Sequence, residues 1–206
     1  MYKNLPNVGI IESKLNKEAM NKLKLYIKNK KNKANHTLAG NINGSFYLED
    51  EDDWFFKNVL ISLIKEYSEE ERNSITPTIL TKNCHHVLNK LWVNFQKKYE
   101  FNPIHDHAGV FSFVIWIKIP SSYKKEKKLN FVKECNSPCP NTFEFSYTNT
   151  LGKISTYRYH LEPKDEGTIL LFSSQLVHLV YPFYLSDKDR ISVSGNICLD
   201  PTKISQ

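Results

Sequence analysis

The sequence predicts a mainly-β domain, a double-stranded β-helix (jelly roll) backed by helices near its N-terminus. Three observations carry that expectation. Helical periodicity is confined to residues 1–75. About eight short strand-like runs, separated by turn signals, follow it. Between them, residues 102–120, NPIHDHAGVFSFVIWIKIP, join two histidines to a strongly apolar strand. A chain of 206 residues, 40% hydrophobic and 13% aromatic, is long enough to bury a substantial core as one domain. Its expected organisation is a helical support over 1–75 and a jelly-roll core over 76–206.

Taken in order, residues 1–13 are short and β-like. From Ser13 the apolar positions Leu15, Met20, Leu23, Leu25 and Ile27 trace an amphipathic helix, with Ser13 as its cap. The lysine- and asparagine-rich stretch 28–35 ends it, and Gly40 and Gly44 punctuate a turn-rich segment. Asp52 and Asp53 open a second helix over 54–71. There Phe55, Val59, Leu60, Leu63, Ile64 and Tyr67 keep the 3.6-residue spacing and acidic residues occupy the first turn. Strands are then expected at 90–96, around the two histidines, and at 112–119, 142–147, 154–161, 168–172, 176–181 and 191–199. The run 112–119 is apolar on both faces and ends at Pro120. The longest interruption, 121–141, contains YKKEKK and NSPCPN and reads as a mobile loop near the mouth of a site. No internal repeat is present.

Composition narrows the function classes. The net charge of +6 comes from lysine, since only Arg72, Arg158 and Arg190 are arginines. A diffuse lysine excess serves solubility and argues against nucleic-acid binding. Cys84, Cys135, Cys139 and Cys198 form no disulfide framework. The N-terminus is polar and no apolar run reaches the ~18 residues of a membrane span. A soluble, cytoplasmic protein is expected.

The chemistry begins at His105 and His107. In extended chain, residues i and i+2 share a face, so both imidazoles aim at one point while Asp106 turns away. Two neutral imidazoles are the start of a first-row transition-metal site. If Asp106 ligated instead, its partner two residues earlier would be Ile104, which cannot. The third candidate is His178, inside the apolar run GTILLFSSQLVHLVYPF. Alone it would read as a core residue. About five strands beyond the pair, a jelly roll brings it alongside them. Arg190 opens RISVSGNICL with Ser192 and Ser194 on its face, and its planar fork suits a carboxylate; the alternative is an ion pair with Asp187 or Asp189. His85 and His86 are adjacent and read as a solvated turn. Cys135 and Cys139 lack further zinc ligands nearby, and His36 and His160 have no evident partner. Trp116 and Tyr181 read as core packing.

These motifs stand in a recognisable order: W-x-N at Trp92 and Asn94, H-x-H at His105 and His107, and an apolar strand ending at Pro120. A G-x-x-x-x-F-x-x-x-x-x-H run at Gly167, Phe172 and His178 follows, then R-x-S-x-x-x-N at Arg190, Ser192 and Asn196. Residues 92–199 thereby resemble the Fe(II)/2-oxoglutarate-dependent oxygenase superfamily, in its small bacterial and phage branch. The resemblance implies that His105, His107 and His178 hold Fe(II). It also implies that Arg190 and Ser192 take the far carboxylate of 2-oxoglutarate, with Asn94 and Trp92 lining the pocket. O2 would be consumed, succinate and CO2 released, and a substrate C–H bond hydroxylated, by analogy in a protein side chain such as proline. One departure is plain: the wider superfamily has H-x-D where this chain has His107. Two rivals follow from it, a three-histidine cupin-like dioxygenase without 2-oxoglutarate and a non-catalytic jelly-roll binding protein. Arg190 argues for the cosubstrate.

Overall fold

A computed structural model describes residues 2–5, 8–70 and 84–204. Its strands are β1 (Tyr2–Leu5), β2 (Val8–Lys14), β3 (Gly44–Tyr47), β4 (Cys84–Gln96), β5 (Asn102–His105) and β6 (Phe111–Lys118). β7 (Thr142–Thr148), β8 (Ile154–His160), β9 (Thr168–Ser173), β10 (His178–Val180) and β11 (Arg190–Ile204) complete them. The helices are α1 (Lys17–Lys28), α2 (Ile61–Glu70) and the short α3 (Tyr123–Glu126). A seven-stranded sheet in the order β1-β2-β9-β6-β11-β4-β3 faces a four-stranded sheet in the order β5-β10-β7-β8. Every pairing is antiparallel. This is the expected jelly roll.

Alternation along the strands makes two apolar layers. On one face of the large sheet Val93, Phe113, Ile115, Leu171 and Val193 are buried beneath α1 and α2, against Leu23, Tyr26, Phe55, Leu63 and Tyr67. On the other face Val114, Trp116, Leu170 and Phe172 meet Phe143, Phe145 and Val180 of the small sheet. β6 is therefore apolar on both faces from Phe113 to Ile117, because one face meets helices and the other meets a sheet. The helices cover one side of the sandwich, as the periodicity predicts. The N-terminal residues do more than support it, since β1, β2 and β3 are strands of the large sheet itself.

Several local expectations need correction. Asn16, not Ser13, caps α1: its Oδ1 accepts from the Ala19 amide at 2.8 Å, while Ser13 is still paired in β2. The second helix opens with a π-helical turn over Phe56–Leu60 and is held by Asp50, whose carboxylate accepts from the amides of Phe55 and Phe56, each at 2.8 Å. Asp52 and Asp53 instead take left-handed backbone angles, φ 58° and 53°. Glu71, the expected last residue of that helix, lies outside the described residues. β4 starts six residues earlier than expected, at Cys84, so His85 and His86 are not a turn but are paired with β11. They do point to opposite faces, and His86 packs on Phe111 with ring centroids 5.6 Å apart. The segment 121–141 is folded, not a free loop. Glu126 is fully buried at its centre, accepting from the hydroxyl of Ser121 and the amides of Tyr184 and Leu185.

Candidate active site

β5 and β10 pair so that His105 lies directly across from His178. β5 ends at His105, and His107 follows in extended chain with its amide bonded to the Ser174 carbonyl at 2.9 Å. Two residues later Gly109, at φ +118°, turns the chain into β6; a Cβ there would lie 2.8 Å from the Ile197 carbonyl oxygen. Only glycine serves at that turn. The result brings one potential ligand atom from each of His105, His107 and His178 within 4.8 Å of one another. Asp106 is exposed and turned away.

The protonation of these rings follows from their surroundings. Nδ1 of His105 sits 2.7 Å from the Pro103 carbonyl and Nδ1 of His178 sits 2.9 Å from the Leu176 carbonyl. A carbonyl oxygen only accepts, so each Nδ1 carries the proton and each Nε2 keeps its lone pair. A backbone carbonyl on Nδ1 holds the ring in place and leaves Nε2 able to bind a metal. Burial pushes all three pKa values down: His107 to about 4, reinforced by the neighbouring His105 and opposed by Asp106, and His178 to about 3, reinforced by both other histidines. His178 is packed among Phe143, Phe145 and Phe172, and Trp92 lies against His107. Three neutral imidazoles, two of them fixed with Nε2 free, fit a divalent first-row metal.

The same cleft extends to Arg190. It is lined by the three histidines together with Trp92, Asn94, Gln96, Arg190, Ser192 and Ser194. The register explains the grouping: Arg190 pairs with Gln96, Ser192 with Asn94 and Ser194 with Trp92. Asn94 Oδ1 accepts from the Ser45 hydroxyl at 2.7 Å, which fixes the amide in place. Arg190 is 2% exposed and makes no ion pair among the described residues; Asp187 pairs with Lys98 instead. Nε and Nη2 of Arg190 donate to Gln96 Oε1 at 3.2 and 2.8 Å. Nη2 also reaches the Tyr181 carbonyl at 2.9 Å, and Nη1 reaches Asn141 Oδ1 at 2.8 Å. Burial lowers its pKa to about 9, against the upward pull of Glu126, so it stays charged at neutral pH.

The structure thus brings His105, His107, His178, Trp92, Asn94, Arg190 and Ser192 into one cleft. Gln96 and Asn141 were not anticipated. Gln96 continues the alternation Trp92, Asn94, Gln96 and was open to that reading. Asn141 lies in a turn whose sequence gives no hint of its partner.

Comparison with known proteins agrees with this geometry. Residues 90–196, just over half the chain, match the family model described as "Putative 2OG-Fe(II) oxygenase". The chain belongs to the 2OG-Fe(II) oxygenase family. As an enzyme of this family its cofactor is Fe(II) and its cosubstrate 2-oxoglutarate. Among solved structures it is similar to an oxidoreductase of the 2OG-Fe(II) oxygenase family from Burkholderia pseudomallei (TM-score 0.55, 10% identity, 92% of this chain and 84% of that one). It is also similar to OsALKBH1 (0.55, 10%, 95% and 99%). A third is the collagen prolyl hydroxylase of Paramecium bursaria Chlorella virus-1 in its 2OG complex (0.51, 10%, 91% and 94%). At such identities these likenesses speak for the fold alone. No curated protein matches the chain.

Proposed function

We propose that this oxygenase hydroxylates a C–H bond of its substrate, using His105, His107 and His178 to hold Fe(II) and Arg190 with Ser192 to hold the far carboxylate of 2-oxoglutarate. The single observation that supports this most is the convergence, in one cleft, of three neutral imidazoles and a buried arginine with no carboxylate partner. When bound, iron and 2-oxoglutarate supply the oxidising chemistry: O2 is consumed, 2-oxoglutarate leaves as succinate and CO2, and one oxygen atom enters the substrate as a hydroxyl.

The chain's own residues have four tasks. The Pro103 and Leu176 carbonyls hold His105 and His178 in the tautomer that leaves Nε2 free. Burial keeps the imidazoles unprotonated at neutral pH, so no proton competes for the ligand lone pairs. Arg190 offers a charge-assisted hydrogen bond to a carboxylate, with Ser192 and Asn94 beside it on the same face. Phe143, Phe172 and Trp116 form an apolar wall that keeps water from the metal side. Arg190 favours this reading over a three-histidine dioxygenase without 2-oxoglutarate, which would have no use for a carboxylate receptor. Among substrate classes, a protein side chain is the one we favour; the virus relative is by name a collagen prolyl hydroxylase.

Anaerobic titration with Fe(II) and then 2-oxoglutarate tests the reading. A weak visible charge-transfer band that saturates with 2-oxoglutarate is expected, followed on aeration by succinate. Iron binding without that band would favour the cosubstrate-independent dioxygenase.

A further inference from the structure

The groups that Arg190 hydrogen-bonds carry no charge; the buried carboxylate of Glu126 acts on it electrostatically but is bonded to Ser121, Tyr184 and Leu185 instead. Gln96 supplies one amide oxygen, Asn141 a second and Tyr181 a backbone carbonyl. Each amide is also fixed at its other end. Gln96 Nε2 donates to the Glu100 carbonyl at 2.5 Å, and Asn141 Nδ2 donates to the Ser121 and Leu161 carbonyls, each at 2.9 Å. A backbone carbonyl cannot face an amide oxygen, so these contacts force the oxygens of Gln96 and Asn141 toward the guanidinium. Both side chains are themselves buried, Gln96 at 4% and Asn141 at 0% exposure.

A buried arginine is ordinarily paired with a carboxylate. Here two carboxamides do the steric work of a carboxylate without its charge. We propose that Gln96 and Asn141 are positioning residues that aim Arg190 while keeping any carboxylate of the chain from bonding it, so that the incoming 2-oxoglutarate carboxylate can. This rests on the reading of Arg190 as the carboxylate receptor. It adds a specificity device: selection of a diacid over a 2-oxo monoacid depends on the neutrality of two side chains that need not touch the ligand. Asn141 also closes the folded segment 121–141 by bonding the Ser121 carbonyl, so that segment is tied to the arginine's aim.

The test compares binding of 2-oxoglutarate and of 2-oxopentanoate, which has a methyl where the far carboxylate stands, to the Fe(II)-loaded protein under anaerobic conditions. The wild-type protein should prefer 2-oxoglutarate. Gln96→Glu should weaken 2-oxoglutarate by about tenfold or more and leave 2-oxopentanoate nearly unchanged, because its carboxylate occupies the arginine's charge. Gln96→Leu, which removes the acceptor without adding charge, should retain more of the preference than Gln96→Glu. A purely structural role predicts the reverse order, or equal loss of both ligands, and either result would overturn the inference. Should Gln96→Glu fail to fold, judged by thermal unfolding and Fe(II) binding, Asn141→Asp puts the same question from the other side of the guanidinium. Wild-type protein that shows no preference for 2-oxoglutarate would remove the reading of Arg190 itself; a wild-type preference that survives Gln96→Glu would remove only the inference.

Discussion

His178 sits among three phenylalanines with its Nδ1 proton spoken for by a backbone carbonyl. Such a side chain cannot take up a second proton without stranding a charge in an apolar wall. Its low pKa and its fitness as a ligand are thus one property. Arg190 shows the complementary case, a charge that persists at neutral pH in a buried place because oxygen dipoles surround it. The two groups make separable contributions. Arg190→Met should abolish the charge-transfer band while Fe(II) affinity stays within about threefold, since none of the three proposed ligand rings is bonded to the guanidinium. His178→Ala should lower Fe(II) affinity by about 100-fold or more and lose the band with it. Equilibrium Fe(II) binding measured on both variants separates the two effects. Sequence alternation was sufficient to set His105 and His107 together and to reject Asp106, because a two-residue spacing in extended chain has one geometric outcome. It could not find Asn141 as a partner of Arg190, because the two meet through contacts 49 positions apart in the chain.

At the scale of elements, the apolar strands were legible and their ends were not. β6 and β9 are buried on both faces, and nothing competes with extended structure in such runs. β4 began earlier than expected because Cys84, His85 and His86 carry no alternating pattern of their own and are strand residues through their pairing with β11. The second helix was found by its spacing but given the wrong opening. Local sequence favours Asp52 and Asp53 as first-turn acids, whereas Asp50 alone reaches the free amides and the Tyr26 hydroxyl as well. Asp50→Ala should therefore cost about 1–2 kcal/mol, seen as a fall in Tm of about 2–8 °C. Asp52→Asn, at an exposed position that caps nothing and with a side chain that tolerates the left-handed backbone there, should change it little. If the two variants behave alike, the cap is not where the hydrogen bonds put it.

For the whole molecule, burial of histidine sets the response to acid. His86, His105, His107 and His178 all have folded-state pKa values pushed below the ordinary 6.5 by desolvation. Below pH 6.5 the unfolded chain binds protons that the folded chain refuses, so stability is full above that value and falls as the pH drops toward 4. The metal-free protein should show a level Tm above about pH 7 and a steady loss between pH 6.5 and 4. His178→Phe, which fits the aromatic wall and does not titrate, should flatten part of that slope. An unchanged slope would assign the acid response to other groups.

The division of labour between the sheets has a consequence for ligand length. His105 and His178 belong to the four-stranded sheet, and Arg190, Ser192 and Asn94 to the seven-stranded one. On the proposed reading, a cosubstrate held at both ends would bridge the two layers, whose separation of roughly 10 Å is fixed by the side chains packed between them. The sandwich acts as a calliper. Its jaws are set by Phe143, Phe172 and Trp116, not by any residue that bonds the ligand. A 2-oxo diacid one carbon shorter or longer than 2-oxoglutarate should then bind more weakly, and thinning the packing between the sheets should shift the preferred length.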